Sequence, residues 1–544
     1  MPTIKSYNKR LQNLKSERST YIPLYQELSD YHLAHRGRFL TSDRNKGHKR
    51  NTKQINNTSR LASRVLASGM MAGITSPARP WFRLGSGGIG LDDSVAVKQY
   101  LNDVQSIMYR VFSHSNLYNS LHQIYSELGV FGTGAMGIYY DFENVIWCQP
   151  YTVGSYMIGL NGQNISDTFY REYELTVGQT VKQFGIDNVS RSVKQQWDRG
   201  NSENWVQIVH AIEPNDDRDM NSPLAEDKAW RSVYYEISSS KSSGEDKFLR
   251  RSGFDHFPIV TPRWDVTAED VYATDCPGIS ALGDTKSLQL GERRMYQAID
   301  KVVNPKLQGP SSMRSMYNSK SDIVWYDNPT EGISSIYGNF RPDLGALDTI
   351  NMKVETRIKR AFYEDLFLML ANTDRRQITA REIAEKHEEK LLMLGPVLER
   401  LHTELLDPLI DRTFSILQEA SVLPPPPPEL QGRELSVEYV SVLAQAQRLV
   451  ATGAIDRITQ FTGTAANIWP DARHKINIGK AVDEYSESLG VDPAMIRSDD
   501  DVAKIIQQEQ QQAMQQQAMQ AAQQAVDIAK TASDVNPDMM DQVM

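Results

Sequence analysis

The sequence has only two cysteines, Cys148 and Cys276, among 544 residues. Two distant cysteines cannot build a disulfide framework, and their spacing fits no zinc site, so they indicate a reducing compartment. No apolar run reaches the roughly 20 residues that a membrane-spanning helix needs. The stretch from Phe362 to Ala371 is too short and holds Glu364 and Asp365. Because no signal peptide is recognisable either, we expect a protein that is cytoplasmic where it is made and that has no membrane partner.

Motifs for nucleotide, metal or hydrolytic chemistry are also missing. The chain has no GxxxxGK[ST] loop, because residues Gly283 to Ser287 are too few to cradle phosphates. No HExxH, GxSxG or CxxC pattern occurs. His387 and His402 fit packed or solvated helix positions better than metal ligands, and the adjacent carboxylates of Asp499 to Asp501 point in different directions. The sequence therefore predicts no enzyme, no cofactor and no resident metal.

One glycine-rich motif is present, at Gly132 to Gly137, and it formally reads GxGxxG. A dinucleotide site needs a strand before this motif and a helix after it. Here a helical pattern precedes the glycines, and the strand-like Ile138-Tyr139-Tyr140 follows them. The reversed order favours a structural turn.

Charge is unevenly distributed along the chain. The net charge is -9, yet residues 1–60 hold 13 Lys/Arg and 4 Asp/Glu, which leaves +9 there and -18 in residues 61–544. The basic residues include those of Arg36 to Arg50, whose loop could touch an acidic partner or simply be solvated. An acidic body repels DNA at long range, so any contact with DNA must be local.

The most strongly patterned stretch runs from Leu344 to Leu417. We predict a first helix over 344–371, whose apolar face holds Leu347, Val354, Ile358 and Ala361. Basic residues recur on it about a right angle or more from that face, at Lys353, Arg357 and Arg360.

A polar break, Asn372-Thr373-Asp374, separates this helix from a second one over 379–420. Thr379 and Glu382 have the spacing of a capping box at its start. Gly395-Pro396 and Pro408 predict bends. Its leucines form a packing seam at steps of three and four: Leu391, Leu394, Leu398, Leu401, Leu405 and Leu409.

The remaining pattern predicts a mainly helical α+β chain. Helices are expected over 4–35, 58–74 and 281–303, and as a pair over 93–128 that is broken at Ser115-Asn116. Strands are expected in 135–174, with a hairpin at Asn161-Gly162, and over 204–212, 230–237 and 323–326. Five prolines from Pro424 form a stiff spacer, helices resume from Glu438, and a Gln-rich tail ends the chain.

Several stretches resemble one protein family. Residues 58–84 read TSRLASRVLASGMMAGITSPARPWFRL, a small-residue helix followed by an extended aromatic segment. A second part of the likeness is the turn at Gly132-Thr133-Gly134. A third is the segment Phe257 to Trp264, which is followed by a helix that leads to Pro305. Over about residues 50–420 the chain resembles the portal, or head-to-tail connector, proteins of short-tailed bacteriophages.

The resemblance implies a portal-type subunit of wing, stem, clip and crown that assembles into a ring with a central channel. The wing would span 1–277, the two stem helices 278–303 and 344–371, and the clip 304–343. A tunnel loop would follow over 372–378, then a long wing helix with the proline spacer over 379–435. The crown would span 436–504 and the tail 505–544.

The implied function is a channel at one capsid vertex through which double-stranded DNA is packaged and ejected. Implied partners are further copies of the chain, about twelve in a ring, the terminase, a scaffolding protein, the major capsid protein and tail adaptors. The candidate channel-facing cations are Lys353, Arg357, Arg360, Arg375 and Arg376. Alternatives are a tail adaptor or other ring-forming phage protein, and a soluble nuclease or hydrolase.

Overall fold

The computed structural model describes residues 2–39, 53–85, 95–220, 222, 224–237, 247–315, 323–326, 333–337, 342–372, 394–430 and 436–440, and the single residues 462, 464 and 502. The chain divides into two compact units, Met1–Ala446 and Gln447–Met544. The fold below is that of the first unit. The predicted tail and most of the predicted crown, with Asp499 to Asp501, lie outside the described residues.

The N-terminal segment forms two helices, α1 (Ile4–Ser19) and α2 (Ile22–Tyr31). Thr3 caps α1, because its hydroxyl accepts a hydrogen bond from the backbone N–H of Ser6. One face of α1 is buried against a β-sheet through residues spaced at helical intervals: Ile4, Tyr7, Leu11 and Leu14. The predicted helical stretch over 4–35 is therefore confirmed as far as Tyr31, with a break at Thr20-Tyr21, and it ends four residues earlier than predicted.

The helical core contains α3 (Thr58–Gly73), α4 (Val95–His114) and α5 (Leu117–Phe131). The break between α4 and α5 falls at the predicted Ser115-Asn116. Asn116 uses its side chain on the edge of a strand: its amide donates to the carbonyl of Cys148 at 2.7 Å and accepts from the Cys148 N–H at 2.9 Å. The break therefore places Asn116 where it can hydrogen-bond the strand that contains Cys148.

The predicted glycine turn follows α5. Gly132 adopts φ +77° at the helix C-terminus, a left-handed conformation in which glycine carries no Cβ penalty. The chain then enters β2 (Ala135–Asp141) directly. The order helix, turn, strand is as predicted from the sequence, and it is the reverse of a dinucleotide-binding motif.

Two sheets follow. β2 pairs with β3 (Val145–Tyr151) and β9 (Ile259–Val260). An antiparallel five-stranded sheet contains, in spatial order, β4 (Tyr156–Leu160), β5 (Ser166–Thr176), β6 (Trp205–Pro214), β7 (Trp230–Glu236) and β8 (Arg250–Phe254). The predicted hairpin at Asn161-Gly162 connects β4 to β5. Helices α6 (Val177–Phe184) and α7 (Arg191–Asp198) cover part of the larger sheet.

The chain then forms α8 (Pro277–Val303), three short strands, α9 (Leu344–Ala361) and α10 (Glu364–Asn372). The short strands are β10 (Leu307–Pro310), β11 (Ile323–Tyr326) and β12 (Ser334–Ser335), with β10 in the centre. β11 confirms the predicted strand. The prediction of one helix over 344–371 was wrong, because Phe362 and Tyr363 interrupt it.

The last described part begins with α11 (394–401), a π-helix (His402–Leu406) and α12 (Asp407–Glu419). The described leucines of the seam are all buried within the chain, so they form core. Leu391, Thr379 and Glu382 lie outside the described residues. Beyond the prolines, β13 (Ser436–Tyr439) pairs antiparallel with β1 (Phe82–Gly85). The predicted helix is wrong at Glu438 and Tyr439, because residues far upstream supply a strand partner there. Most of the helical stretch predicted beyond Val440 lies outside the described residues.

Candidate functional site

The candidate site is the helix pair α8–α9. Asp284 of α8 contacts Arg357 of α9, and Gly291 contacts Asn351, so residue numbers rise along one helix as they fall along the other. The helices are therefore antiparallel. They also approach closely, because a Cβ added at Gly291 would lie less than 3.0 Å from Asn351 Oδ1. The chain leaves along α8 and returns along α9, as predicted.

A short segment before α3 clamps this pair. Gln289 of α8 accepts hydrogen bonds from the N–H groups of Ile55, at 2.6 Å, and Asn56, at 2.9 Å. The Asn56 side chain donates to Glu355 of α9 at 2.7 Å and to Glu292 of α8 at 3.3 Å. One asparagine therefore bridges both helices. The sequence offered no signal for this clamp, because it depends on contacts between residues more than 200 positions apart.

The two ends of α8 differ in burial. Its first half enters the main core through Ala281, Leu282 and Leu288. No residue from 290 to 303 is buried in the single chain, and none from 344 to 350 on α9. Glu292 interrupts the apolar stripe of α8, which resumes at steps of three and four in the second half of the helix. There its residues are exposed: Tyr296 by 58%, Ile299 by 37% and Val303 by 78%.

Three of the predicted channel cations lie on this pair. Lys353, Arg357 and Arg360 are all exposed on α9, on the predicted stripe. Arg357 is 60% exposed and forms an ion pair with Asp284 at 2.8 Å. Within the part of the chain that the structure describes, Lys353 and Arg360 form no ion pair. Arg375 and Arg376 lie outside the described residues.

A left-handed residue turns the chain at the end of α9. Tyr363 adopts φ +54°. The turn directs Phe362, Leu366 and Phe367 into the core, where they are fully or almost fully buried. At the same point, a Cβ added at Gly69 of α3 would lie less than 3.0 Å from three atoms of Phe367. Gly69 thus permits the close helix contact that its small-residue pattern predicts.

An ion pair outside the helix pair fixes the long C-terminal helix. The Arg263 guanidinium donates to Glu404 of the π-helix, with the shortest distance at 2.7 Å, and the Arg263 N–H donates to the same carboxylate at 2.9 Å. Arg263 is almost fully buried. Arg263 lies in the segment Phe257 to Trp264 that carries part of the family likeness, and no local pattern indicates a partner 141 residues away.

No group of three or more His, Cys, Asp and Glu that could hold a metal occurs among the described residues. Burial raises the pKa of both Cys148 and Cys276 to about 12, so their thiols stay protonated. None of the helices that can be described is long and apolar enough to cross a membrane.

Fold and site together define a mixed helix-and-strand structural subunit with uncovered apolar surface on a helix pair. The family model for the bacteriophage head to tail connecting protein matches residues 4–496, and the chain belongs to this family. It is 44% identical over 520 residues to a probable portal protein of Bordetella phage BPP-1, covering 95% of this chain and 92% of the relative. It is 43% identical over 530 residues to the portal protein of Salmonella phage epsilon15, covering 97% and 94%.

Among solved structures, the neck of an empty GTA particle computed with C6 symmetry matches with a TM-score of 0.33 and 10% identity, over 79% of this chain and 92% of that chain. The family and the two phage relatives establish the portal, or head-to-tail connecting, role for this chain and make it a structural component of the phage particle. They do not favour a soluble nuclease or hydrolase.

Proposed function

We propose that copies of this chain, about twelve, close into a ring at one capsid vertex and that the ring's channel conducts double-stranded DNA into and out of the head. The observation that carries the proposal is the uncovered second half of α8. Apolar residues that continue a buried stripe need a partner, and a neighbouring copy supplies one in every position of a closed ring.

In this proposal α8 and α9 are the stem, residues 304–343 the clip and residues 372–378 the tunnel loop. Each cation of the α9 stripe is repeated once per subunit, so one side chain becomes a ring of charge. Lys353, Arg357, Arg360, Arg375 and Arg376 are the candidate rings. Their charge holds DNA centrally, while the acidic remainder of the chain prevents the many phosphate contacts that would stop sliding.

The ring has no catalytic role in this proposal. A separate terminase supplies the energy of packaging, a scaffolding protein and the major capsid protein place the ring during assembly in the host cytoplasm, and tail adaptors bind the clip side. A tail adaptor role for this chain itself is the alternative. The family description, which names head-to-tail connection, and the portal relatives support the first reading.

The assembly claim is tested with Tyr296→Asp and Ile299→Asp on the uncovered stripe. A charge there disfavours burial against a neighbour, so we expect smaller particles by native mass measurement at equal protomer concentration. Phe142→Asp is the matched control, since Phe142 is 92% exposed on the hairpin between β2 and β3. Stripe variants that assemble as well as this control would contradict the proposal.

The channel claim is tested separately, by packaging and DNA retention in phage that carry Lys353→Gln with Arg360→Gln, or Arg375→Ala with Arg376→Ala. We expect altered retention with rings of normal size. Lys194→Gln, which removes one exposed positive charge on α7, is the control. Unchanged packaging and retention in both double variants would refute the channel assignment.

A further inference from the structure

A row of four side chains crosses the five-stranded sheet on one face. Arg171 of β5 is opposite His210 of β6, His210 is opposite Tyr234 of β7, and Tyr234 is opposite Arg250 of β8. Residues directly opposite one another in antiparallel strands lie on the same face. At about 4.8 Å per strand, the backbones of the two arginines are roughly 14 Å apart along the row, with His210 and Tyr234 between them.

This row lies at the seam between two apolar covers of the sheet. On one side Phe169 and Ile212 pack in the cluster that contains Tyr151 of β3. On the other side Ile208 packs in the cluster that contains Phe184 of α6. The row between them is polar, and Arg171, Tyr234 and Arg250 keep contact with solvent. The seam is therefore a row of cations and aromatic rings that is partly open to solvent, and we call it the crevice.

Neither arginine of the row meets a carboxylate within the described chain. The Arg171 guanidinium lies over the rings of Tyr173, at 4.2 Å, and Tyr151, at 4.9 Å. The Arg250 guanidinium lies 5.4 Å from the Phe184 ring and donates to the carbonyl of Gln183 at 3.0 Å. The Arg171 guanidinium also hydrogen-bonds the Tyr151 side chain, so each of the two guanidinium groups already has one partner. A guanidinium carries five N–H groups, and the remaining ones can donate to an anion.

The titratable groups of the row leave it with two positive charges. Burial, followed by the charges of Arg171 and Arg250, lowers the pKa of His210 to about 3, so this imidazole is neutral. Burial raises the pKa of Tyr173 to about 12 and that of Tyr234 still further, so both hydroxyls remain protonated. The crevice therefore presents donors and cations at neutral pH.

A third guanidinium reaches the same set of rings from α12. Arg412 is only 6% exposed, and its Nε has no hydrogen-bond partner among the described residues. It lies 5.5 Å from the ring of Phe254, which is 6.2 Å from the ring of Tyr139. The Tyr139 hydroxyl is 2.9 Å from that of Tyr151, beside Arg171. Arg412 therefore adds a buried cation behind these aromatic rings.

We propose that this crevice binds an extended acidic segment of a partner protein, through carboxylates about four residues apart. In an extended chain that spacing spans roughly 13 Å on one side, which matches the separation of the Arg171 and Arg250 backbones across the sheet. The stacking of the rings disfavours single-stranded nucleic acid, which needs open ring faces. His210 already covers Tyr234 at 3.9 Å, and arginines cover Tyr151, Tyr173 and Phe184. The site does not depend on the proposed DNA channel.

The test is fluorescence anisotropy on the assembled full-length protein. The probe is a labelled peptide with glutamates four residues apart, compared with the same peptide carrying glutamines. We expect only the acidic peptide to bind. Arg171→Gln and Arg250→Gln each weaken that binding by about tenfold. Arg251→Gln is the matched control, because Arg251 follows on the same strand but points to the other face.

The possible results distinguish binding of an acidic segment from no specific binding and from binding of nucleic acid. The proposal is supported if binding of the acidic peptide is lost in the double glutamine variant and partly kept in Arg171→Lys with Arg250→Lys. The thermal midpoints and particle sizes of these variants must be unchanged. Equal binding of the glutamine peptide, or binding unchanged in the double glutamine variant, overturns it. Tighter binding of an oligothymidine with the same dependence on both arginines also overturns it, in favour of nucleic acid.

Discussion

The contact between α3 and α10 allows a sharp test of the fold, through Gly69→Ala. The added Cβ would lie less than 3.0 Å from three atoms of Phe367, whereas ordinary contact begins at 3.4 Å. The helices must separate or Phe367 must leave its position, and overpacking of this kind costs about 1–3 kcal/mol. The higher helix propensity of alanine offsets about 0.5–1 kcal/mol of this cost, so the free energy of unfolding should fall by roughly 0–2.5 kcal/mol.

Gly283→Ala is the matched control, because it is the same substitution in another helix with no heavy atom within 4 Å of the added Cβ. We expect it to stabilise the protein by up to about 1 kcal/mol. The difference between the two changes in unfolding free energy cancels the helix propensity of alanine and leaves the cost of the clash, about 1–3 kcal/mol. The measurement is denaturant unfolding at equal protomer concentration. Equal effects of the two substitutions would refute the close packing at Gly69.

Three further predictions concern strain, burial and charge. Val145 begins β3 at φ +68°, so Val145→Gly should stabilise the protein by about 1 kcal/mol in thermal unfolding, and a loss would contradict strain there. Burial lowers the pKa of His210 to about 3, so below about pH 6.5 the imidazole takes up a proton in the unfolded chain but not in the folded one. The stability that the neutral His210 contributes is therefore full above about pH 6.5 and is lost as pH falls toward 3. Stability of His210→Gln should therefore fall less steeply with acid, and parallel pH curves would count against this. Arg263→Met should lower the free energy of unfolding by about 3–5 kcal/mol, because it leaves Glu404 unpaired. Adding Glu404→Met should recover part of this loss, and losses that simply add in the double variant would exclude coupling between the two residues.

Elements with local signals were predictable from the sequence. The break at Ser115-Asn116, the glycine turn at Gly132 and the strand at Ile323–Tyr326 all appear where composition and spacing place them. The exposed stripe of Lys353, Arg357 and Arg360 also follows from helical spacing alone. Local propensity and burial agree at these positions, so the pattern is sufficient.

The missed features depend on distant parts of the chain. Apolar residues continue at helical spacing through Phe362, so nothing local indicates the left-handed Tyr363 that turns α10 into the core. Residues near Glu438 form a strand because β1 offers an edge more than 350 positions upstream. The pairing of Arg357 with Asp284 likewise needs the antiparallel register of α8 and α9, which no single-sequence pattern contains.

The central claim is that copies of this chain surround an opening, with α8 and α9 at its wall. The most direct measurement is averaged electron microscopy of the purified full-length protein viewed along the particle axis. We predict closed rings of about twelve subunits around a central hole wide enough for a DNA duplex. Particles without a central opening, or a solution of monomers and dimers, would contradict the account.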